Sequence, residues 1–402
     1  MAFVTADREA PLVGPPLVEL CGVNGAGCVN VTGHATRAAE PQLPSRVLTY
    51  SFVPLPMSLT PPGARLTYRA LPGTSLAAWS EAFELNIPPA GAVQKFAIFG
   101  DQGVYPYSSI GNLIDDYAQG KIQSVIMLGD LAYNLGMANG TRGDGYLYAL
   151  QPLLASIPWV TVEGNHELEA SPFGSYCPET EYCEGRYLNQ SAGYLVAGEH
   201  SGSNTNLYFS LDVGLVHFIV INTMQYLSLG PDLKARQLAW LRADLAAASA
   251  PAQRKEVPWI IALTHVPMYC SAIGQEDVGG LSREDLEPLL FEGGVDLYFY
   301  GHVHAYESTW PVGPNGAVAS NPSLVNPRAP VHVLTGAAGP PGGPDSFNAT
   351  SKPKFSRTSY GNWSYGRVQV FNTTHLTYSH IDNYLGTVVD EWTIVQENHG
   401  PF

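Results

Sequence analysis

The chain has 402 residues, of which 20 are basic and 35 acidic, so its formal net charge is −15. This balance argues against non-specific nucleic-acid binding, because phosphate backbones are bound by basic surfaces. A hydrophobic content of 45% excludes a disordered chain, and no apolar run reaches the roughly 18 residues that a membrane span requires. A small phosphate substrate stays compatible with the charge, since bound metal cations reverse the local field.

The first 93 residues lack a long helical period. Short apolar runs at residues 46–54 and 64–70 are separated by proline and glycine turns, a pattern typical of a small all-β sandwich. The two prolines at 88–89 then indicate a linker. We therefore expect an all-β domain over residues 1–93, truncated at its start.

From residue 94 onward, buried strands alternate with helical patterns. The apolar runs cover residues 95–99, 124–128, 159–162, 216–221, 259–263, 295–300 and 331–334. Residues 235–250 place Leu238, Leu241 and Leu245 on one helical face. The alternation predicts a layered α/β domain over residues 94–402. Ligands of such sheets bind beyond the carboxyl ends of the strands.

Sequons and cysteines indicate passage through an oxidising secretory route. Asn-x-Ser/Thr sequons begin at Asn30, Asn139, Asn189, Asn348, Asn362 and Asn372. Two close cysteine pairs suit short disulfide loops, with pairs of reduced buried thiols as the alternative. The pairs are Cys21 with Cys28 and Cys177 with Cys183, and Cys270 is left over. Residues 1–12 lack the apolar segment of a secretory signal, so either a leader has been lost or the protein is intracellular. We expect a secreted, vacuolar or lysosomal protein.

Five of the predicted strands end in polar side chains that can bind metal. They are Asp101, Asp130 with Tyr133, Asn165 with His166, His265, and His302 with His304. A single Asp after a strand is usually a turn or cap residue, but this set supplies nitrogen and oxygen ligands without a thiolate, which favours Zn, Fe or Mn. Four of the five segments place a glycine directly before the polar residue, which allows close backbone approach.

The residue types of this cluster suit phosphoryl transfer. One carboxylate can bridge two ions about 3.5–4 Å apart, the clamp used for in-line displacement at phosphorus. His302 and His304 are expected on one face of a strand. A serine hydrolase is disfavoured because no G-x-S-x-G motif is present, and the glycine-rich run 339–343 lacks the Gly-Lys-Ser/Thr ending of a P-loop.

The ordered motifs of the chain resemble a known superfamily. They read GDQG, GDLAYN, GNHE, THVPMY and GHVHAYE, at residues 100–103, 129–134, 164–167, 264–269 and 301–307. This set resembles the metallophosphoesterases, and Tyr133, three residues after Asp130, narrows the resemblance to the purple acid phosphatases of the larger plant and animal type. The resemblance implies a four-layer β-sheet sandwich flanked by helices, preceded by a small fibronectin-III-like domain.

The resemblance also implies two metal subsites and the role of a further histidine. A ferric ion would be held by Asp101, Asp130, Tyr133 and His304. A divalent ion, Zn, Fe or Mn, would be held by Asp130, Asn165, His265 and His302. Asp130 would bridge the two ions, and His166 would contact the phosphate as an acid or oxyanion donor.

The implied activity is an acid phosphatase that attacks small phosphate monoesters with a metal-bound hydroxide, in a chain that could form a homodimer. The alternatives are a phytase or phosphodiesterase of the same fold, an inactive secreted glycoprotein, and iron-based redox chemistry. The chain departs from similar sequences in two ways. Residues 270–279 lack the substrate-contacting histidines of many larger members, and Cys270 has no downstream cysteine partner.

Overall fold

The computed structural model describes most of the chain in twelve ranges. They are residues 1–5, 12–22, 25, 27–40, 43–74, 78–91, 93–135, 137–138, 140–168, 197–227, 231–400 and 402. The second cysteine pair and the sequons at Asn139 and Asn189 lie outside these residues. The first pair, Cys21 with Cys28, forms a disulfide.

The N-terminal part of the described chain consists of seven strands. They are β1 (Ala2–Thr5), β2 (Leu17–Gly22), β3 (Val29–Thr32), β4 (His34–Glu40), β5 (Leu43–Phe52), β6 (Arg65–Leu71) and β7 (Phe83–Asn86). They form two antiparallel sheets with the orders β1-β5-β4 and β3-β2-β6-β7. Inward-facing Val18, Leu20, Tyr68 and Leu85 share one core, as the alternation of side chains along strands requires. The all-β character is confirmed, while the domain boundary at residue 93 stays a prediction.

A mixed sheet of six strands follows. It contains β8 (Gln94–Phe99), β9 (Ser124–Met127), β10 (Trp159–Thr161), β18 (Ser364–Val370), β19 (His375–Asp382) and β20 (Val388–Val395). Its order is β10-β9-β8-β18-β19-β20. The first three of these strands are parallel, and the C-terminal strands are antiparallel. The carboxyl ends of β8, β9 and β10 therefore meet at one edge.

A second mixed sheet has seven strands. It contains β11 (Phe209–Val213), β12 (Val216–Val220), β13 (Trp259–Leu263), β14 (Leu297–Tyr300), β15 (Tyr306–Thr309), β16 (Val331–Thr335) and β17 (Ser356–Tyr360). Its order is β11-β12-β13-β14-β16-β15-β17, with β12, β13, β14 and β16 parallel. All five residues of β13 are buried. Trp259, Ile261 and Leu263 face the core between the sheets, and Ile260 and Ala262 face a helical layer.

Helices cover the outer faces of the two large sheets. They are α1 (Ile110–Ala118), α2 (Thr141–Leu154), α3 (Asn165–Leu168), α4 (Ala197–His200), α5 (Met224–Leu227), α6 (Pro231–Ala248), α7 (Pro251–Glu256) and α8 (Gly280–Glu292). Leu113 of α1 and Leu150 of α2 pack on the six-stranded sheet, whereas Leu241 of α6 and Leu286 of α8 pack on the seven-stranded sheet. The order helix, sheet, sheet, helix confirms the four-layer architecture. No helix in these ranges combines the length and hydrophobicity that a membrane span requires.

Each of the seven predicted apolar runs overlaps an observed strand, and the ends differ by at most two residues. The predicted helix 235–250 is α6, which begins earlier, at Pro231, because proline is favoured in a first helical turn. The prediction that His302 and His304 lie on one face of a strand is wrong. His302 and His304 lie in the turn between β14 and β15 rather than on a strand, and His302 has a left-handed φ of 69°.

A buried histidine fastens the outer strand of the seven-stranded sheet to α6. His217 on β12 places Nδ1 2.6 Å from Asp212 Oδ1 on β11 and Nε2 3.1 Å from Asp244 Oδ2 on α6. Ser210 donates its hydroxyl to the other oxygen of Asp244. Burial alone would lower the pKa of His217, but the two carboxylates raise it to about 9. The imidazolium therefore stabilises this corner of the fold.

We expect His217→Gln to lower the melting temperature more at pH 6 than at pH 10. The pKa of His217 is raised on folding, so its contribution is complete below about pH 6.5 and is lost as the pH rises through 9. Because Asp212 is partly exposed and solvent screens its ion pair, we expect the free energy of unfolding to fall by about 1–3 kcal/mol at pH 6. Thermal melts of wild type and variant at the two pH values measure this difference in melting temperature. An equal decrease in melting temperature at both pH values would show that the His217 ion pairs do not cause it.

Candidate metal centre

The turns that follow the parallel strands carry strained backbone where a catalytic cluster is expected. Asp101, Asp130, Tyr133 and His302 have φ angles of 61°, 58°, 52° and 69°. Non-glycine residues rarely adopt this left-handed region, and such strain concentrates at functional sites. The polar atoms of these side chains meet at this edge of the sheets.

Two of the glycines that precede candidate ligands are required by close packing. A β-carbon at Gly164 would overlap the Asp130 carboxylate, and one at Gly301 would clash with Asp101 Oδ2. A side chain at either position would therefore displace a carboxylate of the cluster. This close approach confirms the structural reason for the glycines in the motifs.

One group of polar atoms surrounds the carboxylate of Asp101. The Tyr133 hydroxyl lies 3.3 Å from Asp101 Oδ1 and 2.9 Å from Nε2 of His304. His304 Nε2 is 3.7 Å from the same Asp101 oxygen. The other oxygen, Oδ2, accepts the backbone N–H of His302 at 2.8 Å. This hydrogen bond fixes the carboxylate so that Oδ1 faces the phenol and the imidazole.

A second group surrounds Asn165 and His265. Asn165 Oδ1 lies 3.1 Å from His265 Nε2 and 2.9 Å from His302 Nδ1. His265 Nε2 is 3.3 Å from Asp130 Oδ1. The ligand atoms of Asp130, His265 and His302 all lie within 4.8 Å of one another. Asp130 therefore borders this group, and its charge also acts on Asp101 in the first group.

Hydrogen bonding prepares His265 to act as a metal ligand. Its Nδ1 lies 2.6 Å from the carbonyl oxygen of Leu128, and a carbonyl can only accept, so Nδ1 carries the proton. Burial alone would lower the pKa of His265, but Asp130 and Asp101 raise it to about 10. Nε2, which faces Asp130 and Asn165, therefore also carries a proton that a bound metal ion would replace. Ligating histidines commonly use this arrangement, in which the second ring nitrogen is held by a backbone carbonyl.

The electrostatics of the site suit a bound cation. Burial raises the pKa of Asp101 well above its usual value, and burial lowers the pKa of His302 to about 3. Burial would also raise the pKa of Asp130, but the His265 imidazole lowers it below its usual value. Within the described ranges, the ion pairs of Asp101 and Asp130 are with histidines, and none is with lysine or arginine. Burying two carboxylates is costly without a positive partner, so the donor set fits metal ions.

His166 stands beside the cluster rather than within either group. Its Nδ1 lies 2.7 Å from Asn134 Oδ1, and its Nε2 lies 3.8 Å from Asp130 Oδ2. Its side chain is 24% exposed, whereas the side chain of His265 is fully buried. This position gives the imidazole access to a ligand that enters from solvent.

All eight residues that the sequence predicts for the site meet at one edge of the sheets. Two further residues, Asn134 and Glu167, were missed, although both stand inside the quoted motifs. Asn134 holds the His166 ring, and the Glu167 carboxylate accepts backbone N–H groups of the neighbouring turns. The sequence signal for both is their position directly after a predicted site residue, Tyr133 for Asn134 and His166 for Glu167.

Comparisons with known families agree with this geometry. Residues 94–306 match the family described as "Calcineurin-like phosphoesterase". Residues 329–391 match the family described as "Iron/zinc purple acid phosphatase-like protein C". The chain therefore belongs to the calcineurin-like phosphoesterases. Within that class it belongs to the purple acid phosphatase family.

Individual relatives support the same assignment. Acid phosphatase type 7 of Danio rerio is 36% identical over 367 residues, which cover 85% of this chain and 76% of the relative. Purple acid phosphatase 18 of Arabidopsis thaliana is 32% identical over 293 residues, which cover 73% of this chain and 60% of the relative. The structure of purple acid phosphatase PPD1 from Lupinus luteus has a TM-score of 0.76 at 22% identity, covering 98% of this chain and 72% of that one. The structural likeness confirms the fold.

We expect Asp130→Asn to lose most of its metal. The substitution removes the charge of the carboxylate that borders the second group and acts electrostatically on the first, while Asp101 remains. Asp116→Asn is a matched control, because Asp116 is also buried but bonds to Tyr365 and Arg367 away from the site. Elemental analysis of the purified proteins measures the metal. Full metal content in Asp130→Asn would contradict the expectation that both ligand groups use Asp130.

Proposed function

We propose that this protein is an acid phosphatase that hydrolyses small phosphate monoesters at a binuclear metal centre. The observation that supports this function best is the pair of ligand groups, one around Asp101 and one around His265, with Asp130 in contact with His265 and its charge acting on Asp101. The family of the chain and the names of its relatives support the same reaction class. Bound in these groups, two ions would neutralise the phosphate oxygens and supply the nucleophile.

The ligand groups correspond to two different ions. Asp101, Asp130, Tyr133 and His304 would hold a ferric ion, since a phenol with an ordinary pKa near 10 is bound as phenolate at acidic pH only by a strong Lewis acid. Asp130, Asn165, His265 and His302 would hold a divalent ion, Zn, Fe or Mn. Neither group contains a thiolate, which agrees with these metals.

His166 is proposed to act on the substrate through Nε2. Asn134 Oδ1 accepts a hydrogen bond from Nδ1 and holds the ring, and Nε2 lies 3.8 Å from Asp130 Oδ2. In the imidazolium form both ring nitrogens carry a proton, and Nε2 could then donate to a phosphoryl oxygen or give its proton to the leaving oxygen. Residues 270–279 contain no histidine that could take over this role.

A metal analysis combined with assays across pH tests the proposed function. The protein should contain two metal ions and hydrolyse an aryl phosphate monoester best at acidic pH. Phytate and an aryl phosphodiester, assayed in parallel, test the two alternative activities. A fully metal-loaded protein that hydrolyses none of these substrates would contradict the proposal and favour an inactive glycoprotein.

The compartment is also a proposal. The Cys21–Cys28 disulfide favours an oxidising environment, and the sequon residues Asn30, Asn348 and Asn372 are exposed. In contrast, the side-chain amide of Asn362 bonds to Asp382 Oδ2 at 3.2 Å. These features support a secreted, vacuolar or lysosomal enzyme.

We expect His166→Ala to keep both metals and to lose about 100-fold or more in kcat, the usual scale for one acid or oxyanion donor. Asn134→Ala should retain metal and lose less in kcat, because the His166 ring loses its orientation but keeps its Nε2 atom. His375→Ala, at an exposed histidine on β19, is the control. Metal analysis and steady-state kinetics measure both effects. Loss of metal in His166→Ala would contradict this role and indicate that His166 is a metal ligand.

We expect Tyr133→Phe to remove a visible charge-transfer band from the iron-loaded protein. The band arises from phenolate bound to ferric iron, and phenylalanine cannot supply it. Asp101 and His304 remain to retain some metal, so activity should fall less than in Asp130→Asn. Absorption spectra of the two iron-loaded proteins measure the change. An unchanged colour would remove Tyr133 from the ferric group.

A further inference from the structure

One buried carboxylate joins the two turns that carry the candidate ligands. We call residues 128–134, which follow β9, the β9 turn, and residues 162–168, which follow β10, the β10 turn. Glu167 Oε2 accepts the backbone N–H of Gly164 at 2.7 Å and that of Asp130 at 2.9 Å. Its Oε1 accepts the N–H of Leu131 at 2.8 Å. One side chain of the β10 turn therefore bonds to two successive amides of the β9 turn.

The connection runs in both directions. Asp130 Oδ1, on the β9 turn, accepts the backbone N–H of His166 on the β10 turn at 3.0 Å. An acidic residue of each turn thus accepts backbone N–H groups of the other turn. These bonds set the distance between the Asp130 carboxylate and the side chains of Asn165 and His166.

We infer that Glu167 is a positioning residue, which holds the β9 turn against the β10 turn so that Asp130, Asn165 and His166 keep their relative geometry. The inference rests on the proposed function, since the geometry concerned is that of the candidate metal centre. Among the described residues, the hydrogen bonds of Glu167 are with backbone amides of both turns rather than with the side chains of either ligand group. Partners outside the ligand set commonly affect metal affinity or activity 10–100-fold.

The chemistry of the position requires a full-length carboxylate. The three amides need two acceptor oxygens, and glutamine would turn an NH2 group toward at least one N–H donor. Aspartate keeps both oxygens and the charge but is shorter by one CH2 group, so it reaches the three amides less well. Glutamine therefore tests the number of acceptor oxygens, and aspartate tests the length of the side chain.

The chain offers a matched control in a second buried glutamate. Glu163 is 5% exposed and Glu167 is 7% exposed. Glu163 Oε2 accepts the side-chain amide of Asn222 at 3.2 Å, and no bond to a backbone N–H of either turn is observed among the described residues. Glu163→Gln therefore removes a buried carboxylate from the same segment without changing the connection between the turns.

Metal release and kinetics test the inference in the full-length, metal-loaded protein. A coloured chelator should remove metal at least about tenfold faster from Glu167→Gln than from wild type. With metal in excess, its kcat for an aryl phosphate should fall about tenfold or more while KM stays within about twofold. Glu167→Asp should lie between wild type and Glu167→Gln, and Glu163→Gln should match wild type in both measurements.

Two results would overturn the inference: wild-type metal release and kcat in Glu167→Gln, or equal losses in Glu163→Gln. A purely structural role would lower the melting temperature and leave both measurements unchanged with metal in excess. If Glu167→Gln fails to fold, Glu167→Asp decides, and wild-type metal release in it would overturn the inference. Because the chelator assay needs no turnover, a wild-type protein that binds metal but lacks phosphatase activity would contradict the proposed function alone.

Discussion

Two buried carboxylates that have no lysine or arginine partner among the described residues are the constraint on which the rest of this structure depends. Asp101 and Asp130 are 0% and 2% exposed, and their ion pairs among the described residues are with histidines. Burial of this kind is unfavourable unless a cation balances it. The left-handed turns, the absence of side chains at Gly164 and Gly301, and the amides that surround these carboxylates all serve to hold charge that a bound metal would stabilise.

The sandwich of two sheets makes this concentration of charge possible. Parallel strands of both sheets end at the same edge, so ligands distant in sequence meet there, such as Asp101 after β8 and His265 after β13. The apolar core between the sheets, formed by residues such as Ile98 and Ile261, fixes the separation of the turns. A rigid scaffold of this type limits how far the ligand groups can move when metal binds or leaves.

Much of this arrangement can be predicted from the sequence, because the informative signals are local. Each of the seven predicted apolar runs marks a strand, and the candidate ligands stand in the segments that follow five of these strands. The expectation for His302 and His304 failed because alternation applies only to extended backbone, and His302 has a positive φ. The role of Glu167 could not be predicted, since its partners are backbone amides of Asp130 and Leu131, which no residue type identifies.

Anomalous diffraction from metal-loaded crystals tests the central claim most directly, since it locates the ions without relying on activity. The account predicts two peaks about 3.5–4 Å apart, with one carboxylate oxygen of Asp130 directed at each. Tyr133 and His304 should contact one peak, and Asn165 and His265 the other. A single peak, or two peaks of which only one contacts Asp130, would contradict the shared-carboxylate arrangement.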